Sequence, residues 1–373
     1  MKKNLLVTAI CMMSFGAFAQ KQYVYVGSAT SEVPDPITLC TIDTNTGELK
    51  KVDSFEGTKS SSYLCVSKDN NFLYSVDSDN LDPSSKNHSV AAFKIDKKSK
   101  GLTLINKQSV EGRGACHVSA TSDNKFLFAA NYSSGNVVSL PLNKDGSIAP
   151  VASNQQHAGK GPNEKRQEGP HAHYVQSSPD NKYVFTVDLG IDKVMNYTLN
   201  QKTGELSPNP NQTYLKMPAG SGPRHMIIHP NEKFAYVLNE LVSTISACKY
   251  DAKNGTFEII ETHPMLPADF TEFSKAAAIR IHPNGKYLYG SNRGHESMAV
   301  FEIKDSGNID RIQIYQEGIA WPRDYDIEPS GKFMIVANRN ESLIKTYQIT
   351  DGKLKATKYS LEVAQPTSVV FVN

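Results

Sequence analysis

A chain of 373 residues with 39% hydrophobic and 21% charged side chains has material for a large core, and neither disorder nor a collagen repeat fits that composition. Lys and Arg number 40 against 38 Asp and Glu, a net charge of +2, so the basic footprint of a nucleic-acid binder is absent.

The chain begins Met1-Lys2-Lys3-Asn4 and continues in a mostly apolar run from Leu5 that closes on Ala17-Phe18-Ala19. That run is shorter than the ~20 residues needed to cross a bilayer, and Ala-x-Ala before Gln20 is the small-residue pattern of signal-peptide cleavage. Residues 1–19 are predicted to be a removed secretory signal, leaving an exported, periplasmic protein with no stable membrane anchor. Ile10 before Cys11 is too large for lipid-linked processing. Loss of Lys2 and Lys3 leaves 38 basic side chains against 38 acidic ones. The remaining Cys40, Cys65, Cys116 and Cys248 form no Cys-x-x-Cys, and only His117 adjoins one of them, so neither a metal site nor a cofactor is expected. Export permits disulfides, but these scattered positions do not demand one.

Downstream, a polar turn followed by an aromatic-rich alternating strand recurs along the chain. It reads Asp69-Asn70-Asn71-Phe72 to Asp77, Asp123-Asn124-Lys125-Phe126 to Asn131, Pro179-Asp180-Asn181-Lys182-Tyr183 to Asp188, Pro230-Asn231-Glu232-Lys233-Phe234 to Asn239, Pro283-Asn284-Gly285-Lys286-Tyr287 to Asn292, and Pro329-Ser330-Gly331-Lys332-Phe333 to Asn338. The closing Asp or Asn steps by 54, 57, 51, 53 and 46 residues, the spacing of one four-stranded propeller blade. A seventh copy is split between the ends: Tyr23-Val24-Tyr25-Val26 supplies a second strand and Pro366 to Val372 a first strand. Residues 20–373 are predicted to form a single all-β, seven-bladed propeller, its ring closed by pairing the N-terminal strands with the C-terminal one.

In such a ring the first strand of each blade lines the channel and the second runs back, so the start of one and the end of the other share a face. Blade-equivalent positions at the strand starts are Ser62, Cys116, His173, Arg224, Ala277, Arg323 and Thr367. At the strand ends they are Ser78, Tyr132, Leu189, Glu240, Arg293 and Arg339. Fold stability requires no such gathering of His, Glu and Arg, whereas a site for an anionic small molecule would use it. The recurring Asp77, Asn131, Asp188, Asn239, Asn292 and Asn338 read as turn-bonding residues, His117 as a packed histidine, and His229 and His282 as solvated side chains at the opposite end.

Gly169-Pro170-His171-Ala172-His173, Asp188-Leu189-Gly190-Ile191-Asp192, Gly222-Pro223-Arg224-His225, Asn239-Glu240, Ser291-Asn292-Arg293-Gly294 and Pro322-Arg323-Asp324 resemble the seven-bladed lactonase family of bacterial 6-phosphogluconolactonases and fungal carboxy-cis,cis-muconate cyclases. The resemblance covers residues 21–373. It implies catalytic roles for Glu240, His173, Arg224 and Arg293, with His171 in the same Pro-His-Ala-His segment a second candidate; His171, His225, Arg323 and Arg339 are expected to bind the substrate. The export signal departs from the cytosolic members and argues against a phosphorylated pentose-pathway intermediate.

The expected function is hydrolysis of a sugar-derived or acidic lactone at the channel mouth, with a small anionic lactone or sugar acid as the partner. Glu240 or His173 would take the proton of water, and Arg224 with Arg293 would hold the substrate anion and the developing oxyanion. No Gly-x-Ser-x-Gly elbow or glycine-rich phosphate loop points to covalent or nucleotide chemistry. The alternatives are a muconate-type cycloisomerase using the same residues and a non-catalytic periplasmic binding propeller.

Overall fold

A computed structural model describes residues 21–78 and 88–373; the signal predicted at 1–19 lies outside the described residues. Seven antiparallel sheets follow one another around a channel. The first is built from both ends of the chain, with Pro366–Val372 innermost, then Lys21–Ser28, Ile37–Asp43 and Leu49–Phe55. Tyr23 pairs with Val372 and Val26 with Val369, the closure expected from the split repeat. The fourth blade departs from the regular pattern: Leu206–Pro208 and Tyr214–Lys216 both pair with Lys193–Leu199, giving five strands instead of four.

The repeat survives because its aromatic residues join neighbouring blades. Phe234 opens the second strand of the fifth blade and packs on the hairpin of the sixth, where a Cβ on Gly307 would come within 2.3 Å of its ring. Phe72, Phe126, Tyr183, Tyr287 and Phe333 meet the next blade's hairpin glycine in the same way. Two residues further along, Tyr236 is fully buried and its hydroxyl donates to Gly307 O at 3.0 Å, while Tyr289 donates to Gly352 O at 2.9 Å. Each aromatic thus buries apolar surface, worth about 1.5–3 kcal/mol, and the hydroxyls of Tyr236 and Tyr289 are satisfied, whereas that of Tyr74 at the same place in the second blade has no partner among the described residues.

The closing Asp and Asn residues are structural, as read from the sequence. Asn338 donates to Gly318 O at 2.7 Å and accepts from the Ala320 N–H. Asp188 binds His157 at 2.6 Å and accepts the N–H groups of His171 and Gly190. The reading of His229 and His282 as solvated needs correction. His282 is buried, and its Nε2–H donates to Gly331 O of the next blade at 2.9 Å while Nδ1 accepts the Asn284 N–H. His229 bridges to Gly285 O at 2.8 Å in the same manner. A histidine just before the turn proline is a clasp between blades. Cys40, Cys65, Cys116 and Cys248 are all free thiols.

Candidate active site

The starts of the innermost strands and the ends of the second strands converge at one mouth of the channel. Two adjoining cavities of about 340 and 300 Å³ open there, sharing Cys116, Arg293 and Arg323 as a common wall. The outer lobe takes in Ser62, Arg224, His225, Trp321, Arg339 and Thr367; the inner lobe takes in Tyr132, Arg166, His173, Glu240 and Lys275. Positions aligned only by counting along the repeat therefore meet in space.

Glu240 is the hub. Its Oε1 accepts from Arg166 Nη2 at 2.8 Å, and its Oε2 lies 2.9 Å from Arg293 Nη2 and 3.1 Å from Arg224 Nε. Burial of Glu240 opposes ionisation, but Arg293, Arg224, His173 and Arg166 together outweigh it and hold the carboxyl well below its usual range. The guanidiniums are themselves fixed: Arg293 donates to Ala276 O at 2.7 Å, and Arg224 Nη1 donates to Ala277 O and approaches His225 Nε2 at 3.0 Å. Among the described residues, buried N–H groups nevertheless remain without acceptors on two of them, at Arg166 Nη1 and Arg293 Nε, while Arg224 Nε faces Glu240 Oε2 without a well-aligned hydrogen bond. Orphaned buried donors are rare in folded proteins, and two on one carboxylate's partners set this cluster apart from a fully satisfied structural ion pair.

His173 is buried on the inner lobe with Nδ1 3.8 Å from Cys116 Sγ, and its Nε2 has no hydrogen-bond partner among the described residues. Burial, reinforced by Arg224, pushes its pKa well below the ordinary imidazole value, so the ring is neutral at pH 7. Burial likewise pushes the Cys116 thiol up to about 12, leaving no thiolate for nucleophilic work. Arg323 makes no ion pair among the described residues, although it lines both lobes. Arg339 reaches Gln365 at 2.9 Å and borders the outer lobe. Five arginines and Lys275 thus line the two lobes against the carboxylates of Glu240 and Asp324, and Asp324 is already bound by Arg280 at 2.9 Å.

Tyr63 and His225, which line the outer lobe, belong to a cluster of packed rings. His117 sits between Tyr63 and Tyr174 with ring centroids 4.2 and 4.1 Å away, the packed role expected of it, and His225 adjoins the same cluster. His171 lines neither lobe; it stacks on Tyr132 at 4.4 Å and bonds Tyr132 O through Nδ1 at 3.0 Å, so its place is behind the inner lobe's wall. Sequence reasoning missed Arg166 and Lys275. Arg166 lies in the long connection before Ala172–Ser177, outside any repeat position, and the only signal was that the step from Asn131 to Asp188 is the longest.

Comparison with known proteins agrees with this architecture. The family described as "Lactonase, 7-bladed beta-propeller" matches residues 23–371. A 6-phosphogluconolactonase from Bacillus subtilis is 35% identical over 352 residues, covering 94% of this chain and 98% of the relative. Among solved structures, a periplasmic gluconolactonase from Pseudomonas aeruginosa superposes with a TM-score of 0.87 at 28% identity, covering 95% of this chain and 99% of the other. A protein from Lactobacillus plantarum gives 0.86 at 31% identity, covering 95% and 100%. The chain belongs to the seven-bladed β-propeller lactonase family.

Proposed function

We propose that the protein is an exported hydrolase of a sugar-derived or acidic lactone, and that the ring is opened where the two lobes meet. The observation that carries this reading is the cation-rich mouth with unclaimed buried N–H groups around Glu240. A lactone carbonyl placed against Arg293 and Arg224 would have its developing negative charge met by fixed donors. His173, neutral and open at Nε2, takes a proton from the attacking water as its oxygen bonds to the carbonyl carbon. The tetrahedral intermediate then collapses, the ring C–O bond breaks, and the departing alkoxide recovers that proton, leaving a hydroxy acid.

Glu240 is the weaker base of the two named from the sequence, because three guanidiniums draw its charge. Its role is to hold those guanidiniums in register. Arg323 and Arg339 bind the carboxylate or other anion carried by the substrate. Export is supported by the signal pattern at residues 1–19 and by the likeness to a periplasmic gluconolactonase. Among the described residues no helix is long and apolar enough to cross a membrane.

The test is a panel of lactones followed by acid release in a pH-stat: a neutral aldonolactone, its phosphate ester, and an aldarate lactone with a free carboxylate. Turnover that favours the carboxylated member is the expected result. Binding without ring opening of any member would reject the hydrolase reading, and preference for the phosphate ester would replace the proposed substrate.

A further inference from the structure

Arg166 reaches Glu240 from a connection outside the blades, so something must hold that connection in place. The turn over residues 163–167 is closed by the Arg166 and Gln167 N–H groups on Asn163 O at 3.1 and 2.7 Å. Gln167 is fully buried, and its Nε2 donates to Leu189 O and to Asp192 Oδ1, both at 2.8 Å. Asp192 Oδ1 also accepts the Gly222 N–H at 2.8 Å, and Oδ2 accepts the Gly220 N–H at 2.7 Å. Gly222 lies two residues before Arg224, whose strand starts at Pro223. One buried carboxylate, with no cation among its partners in the described residues, therefore ties the segment bearing Arg166 to the segment bearing Arg224.

The local backbone is shaped for this contact. Asp192 adopts φ 52°, a left-handed conformation that Asp tolerates better than most residues. Gly190 lets the Gly169 backbone close over the same turn, since a Cβ there would stand 1.9 Å from Gly169 O. A carboxylate satisfied only by N–H and O–H donors is an organising centre for loops.

We propose that Asp192 is a positioning residue for lactone opening, setting two of the three guanidiniums on Glu240 at once, one through Gln167 and one through Gly222. The proposal rests on the reading of the Glu240 cluster as the active site. Its consequence is that Gln167 and Asp192, neither of which lines a lobe, control turnover through the arginines they place.

The experiment compares Gln167→Met, which cuts only the Arg166 arm, and Asp192→Asn, which disturbs both arms, each alone and combined with Arg166→Ala. Steady-state ring opening is measured together with melting temperature. Gln167→Met is expected to lower kcat/KM by about tenfold or more in the otherwise native protein and to cost nothing further once Arg166 is alanine. Asp192→Asn is expected to cost more than Gln167→Met and to retain part of its loss in the Arg166→Ala background, through Arg224. A residue that only supports the fold would lower the melting temperature and multiply its loss with that of Arg166→Ala. That multiplication, or Gln167→Met turning over like the native protein, overturns the proposal. Should Asp192→Asn not fold, the Gln167→Met cycle decides alone. If Arg166→Ala and Glu240→Gln both keep native turnover, it is the active-site reading that fails.

Discussion

Two ion clusters share this channel and have opposite balances. At the mouth, one carboxylate faces three guanidiniums and is driven far into its ionised form. Deeper in, one guanidinium, Arg280, faces two carboxylates: Asp324 at 2.9 Å and Asp326 at 3.8 Å. Burial raises both, Asp326 to about 6, and Asp324 adds to the rise at Asp326. Their second oxygens accept backbone N–H groups of the closing strand, Asp324 from Val369 at 3.1 Å and Asp326 from Phe371 at 3.4 Å. The difference separates two uses of buried charge. The carboxylate-rich cluster uses its lone pairs on the seam that closes the ring, whereas the arginine-rich one leaves N–H groups of Arg166 and Arg293 without an acceptor among the described residues.

The sharpest way to break this contrast is to neutralise the hub. Glu240→Gln leaves the buried Arg224 and Arg293 and the half-buried Arg166 without their shared counter-charge, and removing one partner of a buried pair costs about 3–5 kcal/mol. We expect a marked drop in melting temperature together with a loss of turnover of about 10²-fold or more, because the oxyanion donors are released. A glutamine variant as stable as the native protein would show that the mouth does not depend on Glu240.

Arg323→Ala is a milder change, since this arginine has no ion pair among the described residues to lose. It is expected to raise KM for a carboxylated lactone by about tenfold and to leave a neutral lactone nearly unaffected. Equal effects on both would mean that Arg323 does not meet the substrate's anion.

The mouth should also leave its mark on the pH profile. Because burial and Arg224 depress His173, the acid limb of kcat/KM is expected below the ordinary imidazole value, and Arg224→Gln should move it to higher pH. A limb that stays in place would detach the proton acceptor from Arg224.

The smallest effect belongs to the inner cluster. The folded pKa of Asp326 lies above its unfolded value of 3.8, so its contribution to stability is fully present below pH 3.8 and lost as the pH rises through about 6. Asp326→Asn should therefore flatten the dependence of melting temperature on pH between about 4 and 6. An unchanged slope there would assign the dependence to other groups.

Much of this was legible in the sequence, for an identifiable reason. The second-strand aromatics recur because each must pack on a neighbour's hairpin, so Phe72, Tyr183 and Phe333 carry the ring in their spacing. Strand starts and ends fall at fixed offsets from those aromatics, which placed His173, Arg224, Glu240, Arg293 and Arg323 on one face. Arg166 escaped because a connection between blades has no repeat partner to align with. His171 was drawn towards the site because it lies two residues from His173, but Tyr132 takes its ring out of the lobes. His229 and His282 looked solvated because a turn position carries no sign of the neighbouring turn that it grips.

The central claim, that a neutral His173 facing fixed arginines opens the lactone, is tested most directly by pH-stat turnover of the His173→Asn variant on an aldarate lactone at pH 7. Loss of the base should lower kcat by about 10²–10⁴-fold while the melting temperature stays close to that of the native protein. A His173→Asn enzyme that opens the lactone at the native rate would contradict it.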